Sequence, residues 1–419
     1  MRILLATSRY PWPPRRGDQM RAVQVLDFLA GEHEVILLTP EPGPDQPPPP
    51  EGVPYRIEHY RPGGGLAVLF GLARAVVKNL PLQSGLFYQA DLGRRLRELA
   101  PQVDLGVLQL VRLAIHLEDF GKTPLLVDLI DSLSLNFSLR ADVDKVWLRP
   151  LLKIEARLLA IAERRLAERA SGMVVVCERD RQALWNRFPP ELSAKVSVIR
   201  LSVRERHFAP PETAERLRPE GDTTSPVLVM TGNLGYFVNV DAITWWLREV
   251  WPILKRLRPD IQVVVAGDRP APAVRRAVAV AGVRLIESPR DLRSIISEAT
   301  LSLAPMRCGS GVPIKVLEAW AVGVPVVASP WAVAGTSGKQ GEDFRLVGQH
   351  PIEWVQTILE LIDNPEARQW LIDNGRRRLA ADYSREVVCR QVLDTVARLP
   401  LPSREEAGVV TEAAVGRGL

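Results

Sequence analysis

The sequence predicts an α/β protein with two Rossmann-like domains, each built on a parallel sheet. Its 419 residues exceed what a single hydrophobic core usually covers. Short apolar runs alternate with longer amphipathic stretches, the order that produces parallel strands joined by crossover helices. A polar, proline-rich break at about 209–225 separates two such series. We therefore expect domains at 1–205 and 206–383, with a disordered tail at 401–419.

The first series contains six apolar runs that are expected to be strands. A helix is expected from Asp18 to about Ala30, because Asp18 is a suitable N-cap and Gly31 a suitable C-terminal stop. Segment 41–54 contains four consecutive prolines and is expected to be a loop. A long amphipathic helix is expected at about 145–170. The six predicted strands are 2–7, 34–39, 105–110, 124–129, 172–177 and 196–201.

The second series repeats the alternation, and three helical stretches close the chain. The predicted strands are 226–231, 261–266, 283–287, 301–305 and 324–329. The predicted helices are about 240–257, 272–281, 291–298, 313–322, 351–363, 365–381 and 385–398.

Composition excludes several classes of protein. The apolar fraction of 46% and the charged fraction of 25% are those of an ordinary globular protein. Three widely spaced cysteines argue against a disulfide framework or structural zinc site and favour a reducing cytoplasm. No run reaches the roughly 20 apolar residues of a membrane span. A net charge of +5 without a basic, aromatic-interleaved stripe argues against a nucleic-acid partner.

The densest local signal is residues 304–329, APMRCGSGVPIKVLEAWAVGVPVVAS. A buried strand is expected to end at Pro305, a glycine-rich turn follows at 309–311, and a helix is expected to start at Pro313. Gly323 should end that helix before the next strand. Such a turn lets backbone N–H groups approach an anion at the positive end of the helix.

Two cations flank this turn. Arg307 precedes it, and Lys315 lies in the first helical turn, where a positive charge opposes the helix dipole at a cost of about 0.3–1 kcal/mol. A bound diphosphate would compensate that charge. Glu318 follows on the same face and can accept from a ribose hydroxyl. The alternative is a surface Lys315–Glu318 pair on an ordinary helix, since glycine-rich turns are common in α/β folds.

This segment resembles the donor-site signature of the family 4 retaining glycosyltransferases, and the chain resembles their GT-B layout of two Rossmann-like domains facing a cleft. The family motif has two glutamates eight positions apart, and here Ser310 stands at the first position. An arginine, a glycine-rich turn and a helical lysine resemble a subgroup with R-x-G-x-G-x-x-x-K-x-L-E-A, which leaves the donor sugar open. The matching residues are Leu317, Glu318, Ala319, Gly323, Pro325, Val326, Val327 and Ala328.

The resemblance implies a nucleotide-sugar-dependent transferase that needs no protein nucleophile. No D-x-D motif stands at a predicted strand end to hold a metal, so we expect the reaction to be metal-independent. In the family the leaving diphosphate takes the acceptor's proton. The implied acceptor is a glycan, a lipid-linked intermediate or a small molecule in cell-surface polysaccharide or glycoconjugate synthesis. The expected catalytic residues are Arg307, Lys315 and Asp131. The expected donor-binding residues are Gly17, Gly232, Asn233, Asn239, Gly309, Ser310, Gly311, Val312, Leu317 and Glu318.

Some of these assignments have alternatives. Asn233 and Asn239 replace a basic pair of the family and could equally be turn and cap residues. Asp131 is preferred to Asp128 as the acceptor-side carboxylate, because it falls beyond a strand end. His116 is either a sugar contact, as in relatives, or a helix-surface histidine, which we favour.

Aromatic and apolar segments of the first domain leave further alternatives. Tyr10 and Trp12 could stack on an acceptor, enter a membrane surface or pack on the domain. Segment 66–80 could be an interfacial helix in peripheral contact with the inner membrane face, or a core-facing helix, which we favour slightly. The stretch 381–388 resembles the point where the last helix of these enzymes crosses back, which assigns 384–400 to the first domain.

Other functions compatible with the fold are a nucleotide-sugar epimerase and a non-catalytic sugar-nucleotide-binding protein. An epimerase would need acid and base side chains around the sugar, and the motif at 304–329 lacks them. A nicotinamide dehydrogenase is disfavoured, because no G-x-G-x-x-G follows the first strand.

Overall fold

The structure is a computed structural model that describes residues 1–14, 16–144, 146–203, 217, 224–309 and 311–401. Within these residues the chain forms two all-parallel sheets, one of seven strands and one of six. Helices connect the strands, as the alternation of apolar runs and amphipathic stretches predicts. The α/β class and the two parallel sheets are therefore confirmed.

The first sheet has the strand order β3-β2-β1-β4-β5-β6-β7. Its strands are β1 Arg2–Ala6, β2 Glu34–Pro40, β3 Arg56–Tyr60, β4 Leu105–Gln109, β5 Leu125–Ile130, β6 Gly172–Val175 and β7 Val196–Val198. Its helices are α1 Gly17–Leu29, α2 Gly65–Val77, α3 Leu82–Leu86, α4 Ala90–Leu99, α5 Leu133–Val143, α6 Arg149–Arg169, α7 Glu178–Trp185 and α8 Pro190–Ser193. The 3-10 segments are Ala100–Gln102, Val111–Phe120 and Val146–Leu148.

The second sheet has the order β10-β9-β8-β11-β12-β13. Its strands are β8 Val227–Asn233, β9 Gln262–Asp268, β10 Arg284–Glu287, β11 Leu301–Ala304, β12 Val326–Ala328 and β13 Arg345–Leu346. The helices are α9 Phe237–Glu249, α10 Trp251–Leu257, α11 Pro272–Ala281, α12 Leu292–Ile296, α13 Ile314–Val322, α14 Pro330–Val333, α15 Pro351–Asp363, α16 Pro365–Tyr383 and α17 Arg385–Ala397.

Each sheet has one point at which the strand order reverses. In the first sheet it lies between β1 and β4, and in the second between β8 and β11. Open parallel sheets bind ligands at this point, in the crevice beyond the carboxyl ends of the strands. The loops that follow these four strands are therefore where function is expected.

Several element boundaries differ from those expected. Helix α1 has Arg16 rather than Asp18 as its N-cap, and α13 begins at Ile314 with Pro313 as its N-cap. The helix expected at 240–257 is divided at Val250, because Pro252 lacks the N–H that would continue the first helix. Segment 41–54 contains neither helix nor strand, as predicted.

The last helix packs against the first sheet. Its buried residues Val388, Val392 and Val396 belong to one hydrophobic cluster with Ile3 and Leu5 of β1. The interdomain boundary expected near 205 and most of the tail expected after 401 lie outside the described residues. The domain limits themselves stay predictions.

Helix α2 shows that the core-facing interpretation of 66–80 is wrong. Only Gly71 and Ala75 of this helix are buried. The reason is a close approach of backbones, since a Cβ added to Gly71 would overlap the carbonyl of Gly85 in α3. Contact through glycine leaves the larger side chains on the outside. These exposed residues are Leu66, Leu69, Phe70, Val76 and Val77.

Tyr10 and Trp12, in contrast, pack on their own domain. Only 3% and 5% of their surfaces are exposed, and their rings meet edge to face with centroids 5.4 Å apart. The Tyr10 hydroxyl donates to the carbonyl of Pro47 at 3.0 Å. Of the three interpretations, packing is the one observed. No described helix is both long enough and apolar enough to span a membrane.

Candidate functional site

The carboxyl end of β8 holds a contact group formed by Gly232, Asn239 and Lys315. The Lys315 ammonium donates to Asn239 Oδ1 at 2.7 Å, and Asn239 Nδ2 donates to the carbonyl of Asn233 at 2.8 Å. Gly232 has a φ of +140°, and a Cβ there would lie 3.0 Å from Asn239 Nδ2 and 3.4 Å from Lys315 Nζ. Glycine is therefore required for Lys315 to approach the strand end.

Asn233 and Asn239 take different parts in this arrangement. The Asn233 side chain accepts from the backbone N–H of Gly235 at 3.0 Å, which is the bond of a turn residue. Asn239 instead ties Lys315 to the end of β8. The pair that replaces the family's basic residues is thus one turn residue and one lysine-positioning residue.

Lys315 and Glu318 lie on one face of α13, in a partly enclosed position. Burial lowers the pKa of Lys315 to about 8, and the negative charge of Glu318 opposes that shift. Burial raises the pKa of Glu318 to about 7, which Lys315 opposes and Asp291 reinforces. The surface-pair interpretation is not what the structure shows, because the ammonium donates to Asn239. Two groups whose pKa values approach neutrality are typical of a functional site.

The glycine-rich turn lies against the first domain. Gly309 and Gly311 have φ values of +131° and +72°, which side-chain-bearing residues rarely adopt. The carbonyl of Gly309 accepts from Arg179 Nη1 at 3.2 Å. A Cβ added to Gly311 would lie 3.6 Å from Asp131 Cβ and 4.0 Å from Asp131 Oδ2. The turn predicted to bind the donor thus faces the carboxylate predicted to act on the acceptor.

Three other predicted donor residues have different surroundings. Leu317 is a buried core residue, and Val312 packs on an apolar cluster that also contains Leu110 and Ile130 of the first domain. Gly17 opens α1, and a Cβ there would meet no atom within 4 Å, so packing does not require glycine. Ser310 lies outside the described residues.

Arg307 forms an ion pair with Asp241. Its Nε and Nη2 donate to the two carboxylate oxygens of Asp241 in α9, at 2.8 and 2.5 Å. The side chains are 29% and 27% exposed, and the guanidinium also lies 5.8 Å from the centre of the Trp245 ring. A bidentate pair of this kind fixes the guanidinium plane. Arg307 therefore anchors the start of the turn on α9.

Asp131 owes its position to strained backbone. Ile130 has a φ of +66°, an outlier for a β-branched residue, and β5 loses its regular register with β6 between Asp128 and Ile130. This kink places Asp131 beyond the strand end, opposite Gly311. Asp128 instead forms a buried ion pair with Arg21 at 2.8 Å. The two carboxylates thus have different surroundings, one in a buried ion pair and one beside the glycine-rich turn.

His116 is buried within the first domain, so its interpretation as a helix-surface residue is wrong. Its Nδ1 lies 2.9 Å from Asp119 Oδ2, and its Nε2 accepts from the backbone N–H of Gln89 at 3.2 Å. The ring stacks on Tyr88 with centroids 5.3 Å apart. The helix-surface prediction failed because Val111–Phe120 is a 3-10 segment that turns into the core.

The structure adds Arg179 and Asp180, which sequence reasoning missed. Burial raises the pKa of the Asp180 carboxyl, and the hydrogen bond from the Cys177 thiol opposes that shift. The Cys177 Sγ–Asp180 Oδ2 distance is 2.9 Å. Both residues follow β6, and Arg179 binds the glycine-rich turn across the gap between the two sheets. Their only sequence signal is their place after a strand end.

A small crevice between the domains opens beside Glu318. The residues around it come from α1, from the chain after β7 and from α13, namely Met20, Gln24, Leu201, Ser202, Val203, Ile314, Leu317 and Glu318. In the described part of the chain, no group of three histidine, cysteine, aspartate or glutamate side chains is placed to hold a metal ion.

Comparison with known protein families matches the part of the chain that contains the second sheet. Residues 225–364, which include β8, the glycine-rich turn and α13, match the family described as glycosyl transferases group 1. An uncharacterised protein in the cps region of Klebsiella pneumoniae is 28% identical over 145 residues. An MMP alpha-(1->4)-mannosyltransferase of Mycolicibacterium hassiacum is 32% identical over 108 residues. The matched segments cover 31% and 25% of this chain and span 37% and 26% of those relatives.

Solved structures resemble nearly the whole chain. Sucrose-phosphate synthase from Thermosynechococcus elongatus has a TM-score of 0.72 at 16% identity, covering 95% of this chain and 99% of its own. HepE from Anabaena, solved with UDP, has a TM-score of 0.66 at 14% identity, covering 95% of this chain and 100% of its own. The chain has the GT-B fold. At these identities the likeness establishes the GT-B architecture alone, and function has to be argued from the site.

Proposed function

We propose that this GT-B protein transfers a sugar from a nucleotide-sugar donor to an acceptor bound by the first domain. The observation that carries the proposal is the convergence of Lys315, the glycine-rich turn and Asp131. Lys315 lies in the first turn of α13, and a Cβ added to Gly311, just before that helix, would lie 3.6 Å from Asp131 Cβ. The family match over 225–364 supports a nucleotide-sugar donor.

In the proposed reaction the protein positions and stabilises groups and forms no covalent bond to the sugar. Lys315 and the N-terminal amides of α13 stabilise the charge that develops on the leaving diphosphate. Asp131 orients the acceptor hydroxyl, whose proton passes to the leaving diphosphate as the new bond forms. Arg307, bound to Asp241, acts by holding the turn in place. The route is retaining and metal-independent, as in the enzymes that the motif resembles.

The proposed ligands follow from the same comparison. HepE was solved with UDP, and the mannosyltransferase is a sugar transferase by name, so a nucleoside diphosphate sugar is the proposed donor. The proposed acceptor is a glycan or lipid-linked intermediate of cell-surface polysaccharide or glycoconjugate synthesis. Glu318 is assigned to a ribose hydroxyl, because its carboxylate lines the crevice beside α13.

The arrangement predicts a maximum in nucleotide affinity between about pH 7 and pH 8. When the pH falls below the pKa of Glu318, about 7, this side chain becomes neutral and accepts only weakly from a ribose hydroxyl. When the pH rises above the pKa of Lys315, about 8, this side chain loses the charge that binds the diphosphate. Calorimetric titration with UDP or GDP across this range should therefore give an affinity that falls on both sides.

Glu318→Gln provides the control, because the phosphate groups of a nucleotide themselves titrate near about pH 6. In this variant the acidic limb assigned to Glu318 should disappear. The alkaline limb should move to lower pH, because Glu318 raises the pKa of Lys315. An unchanged profile would remove Glu318 from the donor site.

A panel of UDP-, GDP-, ADP- and CMP-sugars tests the proposed function. We expect one donor to raise the melting temperature and to be hydrolysed slowly to free sugar and nucleoside diphosphate. Interconversion of the sugar would identify an epimerase, and binding without turnover, even with acceptors, would identify a non-catalytic binding protein. Absence of binding by every donor would contradict the proposal.

The cytoplasmic location, with a peripheral contact at the inner membrane face, belongs to the same proposal. The membrane contact rests on the exposed apolar side chains of α2, which a lipid interface would cover. Sedimentation with phospholipid vesicles tests it. Binding that survives Phe70→Glu and Leu69→Glu would exclude α2 as the contact.

A further inference from the structure

A group of arginines occupies the point of strand reversal in the first sheet. Arg9 follows β1, and Arg112 follows β4. Parallel sheets of this type bind ligands at such a point. The donor-side residues Gly232 and Lys315 occupy the equivalent point of the second sheet, so the two crevices are counterparts.

Arg9 and Arg112 share a single carboxylate and a single aromatic ring. Arg9 Nη1 lies 2.5 Å and Arg112 Nη1 lies 3.7 Å from the same oxygen of Asp18. Their guanidinium carbons lie 5.4 and 5.1 Å from the centre of the Phe87 ring. Arg112 Nε donates to Gln83 at 3.2 Å. Arg112 Nη1 is buried without a hydrogen-bond partner among the described residues.

Arg16 and Arg269 add positive charge near this crevice. Burial lowers the pKa of Arg112, and Arg9 and Arg16 lower it further, while Asp18 and Asp131 raise it. Burial likewise lowers the pKa of Arg16, and Arg9 and Arg269 add to the effect.

Charge in the crevice is therefore unbalanced. Arg9 and Arg112 share the single carboxylate of Asp18, which neutralises only one of their two positive charges. Packing like charges together in a partly desolvated place is unfavourable unless an anion compensates them. A phosphate monoester carries about −1.5 to −2 charges at pH 7.

We propose that this crevice binds a phosphate group of the acceptor between Arg9, Arg112 and the N-terminus of α1 at Arg16. The inference rests on the proposed function and specifies its acceptor class. Guanidinium groups donate in pairs to phosphate oxygens, and Nη1 of Arg112, which has no hydrogen-bond partner among the described residues, supplies one such donor. The phosphate would lie in the same crevice as Asp131, which is proposed to orient the acceptor hydroxyl.

The phosphate can belong to a lipid-linked acceptor or to a soluble sugar phosphate, and two probes distinguish these sources. The full-length protein is first saturated with UDP, which occupies the donor site. It is then titrated with farnesyl phosphate or glucose 6-phosphate, with farnesol and glucose as uncharged counterparts. At least one phosphate probe should bind, and neither uncharged counterpart should. Preference for farnesyl phosphate indicates a lipid-linked acceptor, and preference for glucose 6-phosphate a soluble one.

Substitutions locate the binding. Arg9→Gln and Arg112→Gln should each lower the affinity for the phosphate probe about 10- to 100-fold. The affinity for UDP should change less than about 2-fold. Arg112→Lys keeps the buried charge and should lower the affinity for the phosphate probe less than Arg112→Gln does. This difference separates a binding role from a folding defect. Arg164→Gln, on the exposed side of α6 beside Glu168, should have no effect.

Two results would overturn the inference. One is equal binding of the charged and uncharged probes, and the other is phosphate binding that the Arg9 and Arg112 variants leave intact. Failure of the unsubstituted protein to bind any nucleotide is a different result and counts against the proposed function. The phosphate titration is then read without nucleotide, by the same criteria.

Discussion

Lys315→Ala is expected to weaken nucleoside diphosphate binding by about 100-fold or more, the largest effect of any substitution in the second domain. Lys315 lies in the first turn of α13, and Asn239 holds its ammonium at the end of β8. Arg307 does not replace it, because both carboxylate oxygens of Asp241 bind its guanidinium. Calorimetric titration with the nucleotide selected by the donor panel measures the effect.

The same substitution should leave the fold intact. Burial lowers the pKa of Lys315, which means that the folded protein disfavours its charged form. Removing that charge should change the free energy of unfolding by less than about 1 kcal/mol.

Two variants control this measurement. Lys339→Ala, on an exposed lysine of the same domain, should bind nucleotide normally. Lys315→Met keeps the chain length without the charge and should behave like Lys315→Ala. Unchanged affinity in both Lys315 variants would contradict the assignment of the site to α13.

The architecture could be predicted because it depends on local periodicity. Each predicted strand of the second series lies within about three residues of an observed one. The region between 41 and 125 was harder, since β3 is partly exposed and α2 turns apolar side chains outward. In α2 the apolar side chains lie on the protein surface rather than in the core. The sequence pattern of the helix is the same in both cases and does not distinguish them.

The candidate site could be predicted only for residues that are close to one another in the sequence. The glycine-rich turn, Lys315 and Glu318 are close in sequence, and their positions follow from the start of one helix. The pairing of Arg307 with Asp241 spans 66 residues, and that of Arg179 with Gly309 spans 130. Such contacts depend on how strands are ordered and domains packed, which periodicity does not specify.

The buried position of Asp180 and the cation-rich crevice around Arg112 were missed for the same reason. Arg9 and Arg112 are 103 positions apart in the sequence and meet at Asp18 only because β1 and β4 are neighbours in the sheet. An arginine after a strand has no sequence feature that separates it from other surface arginines. Its function becomes visible only when its neighbours are known.

Asp131→Asn is expected to reduce kcat/KM for sugar transfer about 100- to 10,000-fold while leaving nucleotide affinity nearly unchanged. The substitution keeps the shape of the side chain and removes the charge that orients the acceptor hydroxyl. Asp131 lies in the first domain, opposite Gly311, and none of the donor contacts proposed for Lys315 and Glu318 depends on it. Initial rates at saturating donor and varied acceptor, with a parallel nucleotide titration, measure both quantities.

The strained backbone at Ile130 makes this test specific. A residue is held at such a φ at a cost of about 1–3 kcal/mol only where the surrounding structure imposes it, and here the kink directs Asp131 towards the opposite domain. Asp142→Asn, at an exposed position of α5, is the matched control and should transfer normally. Equal loss in both variants would indicate general damage to the first domain. Normal transfer in Asp131→Asn would mean that another group orients the acceptor, even if Lys315 binds the donor as proposed.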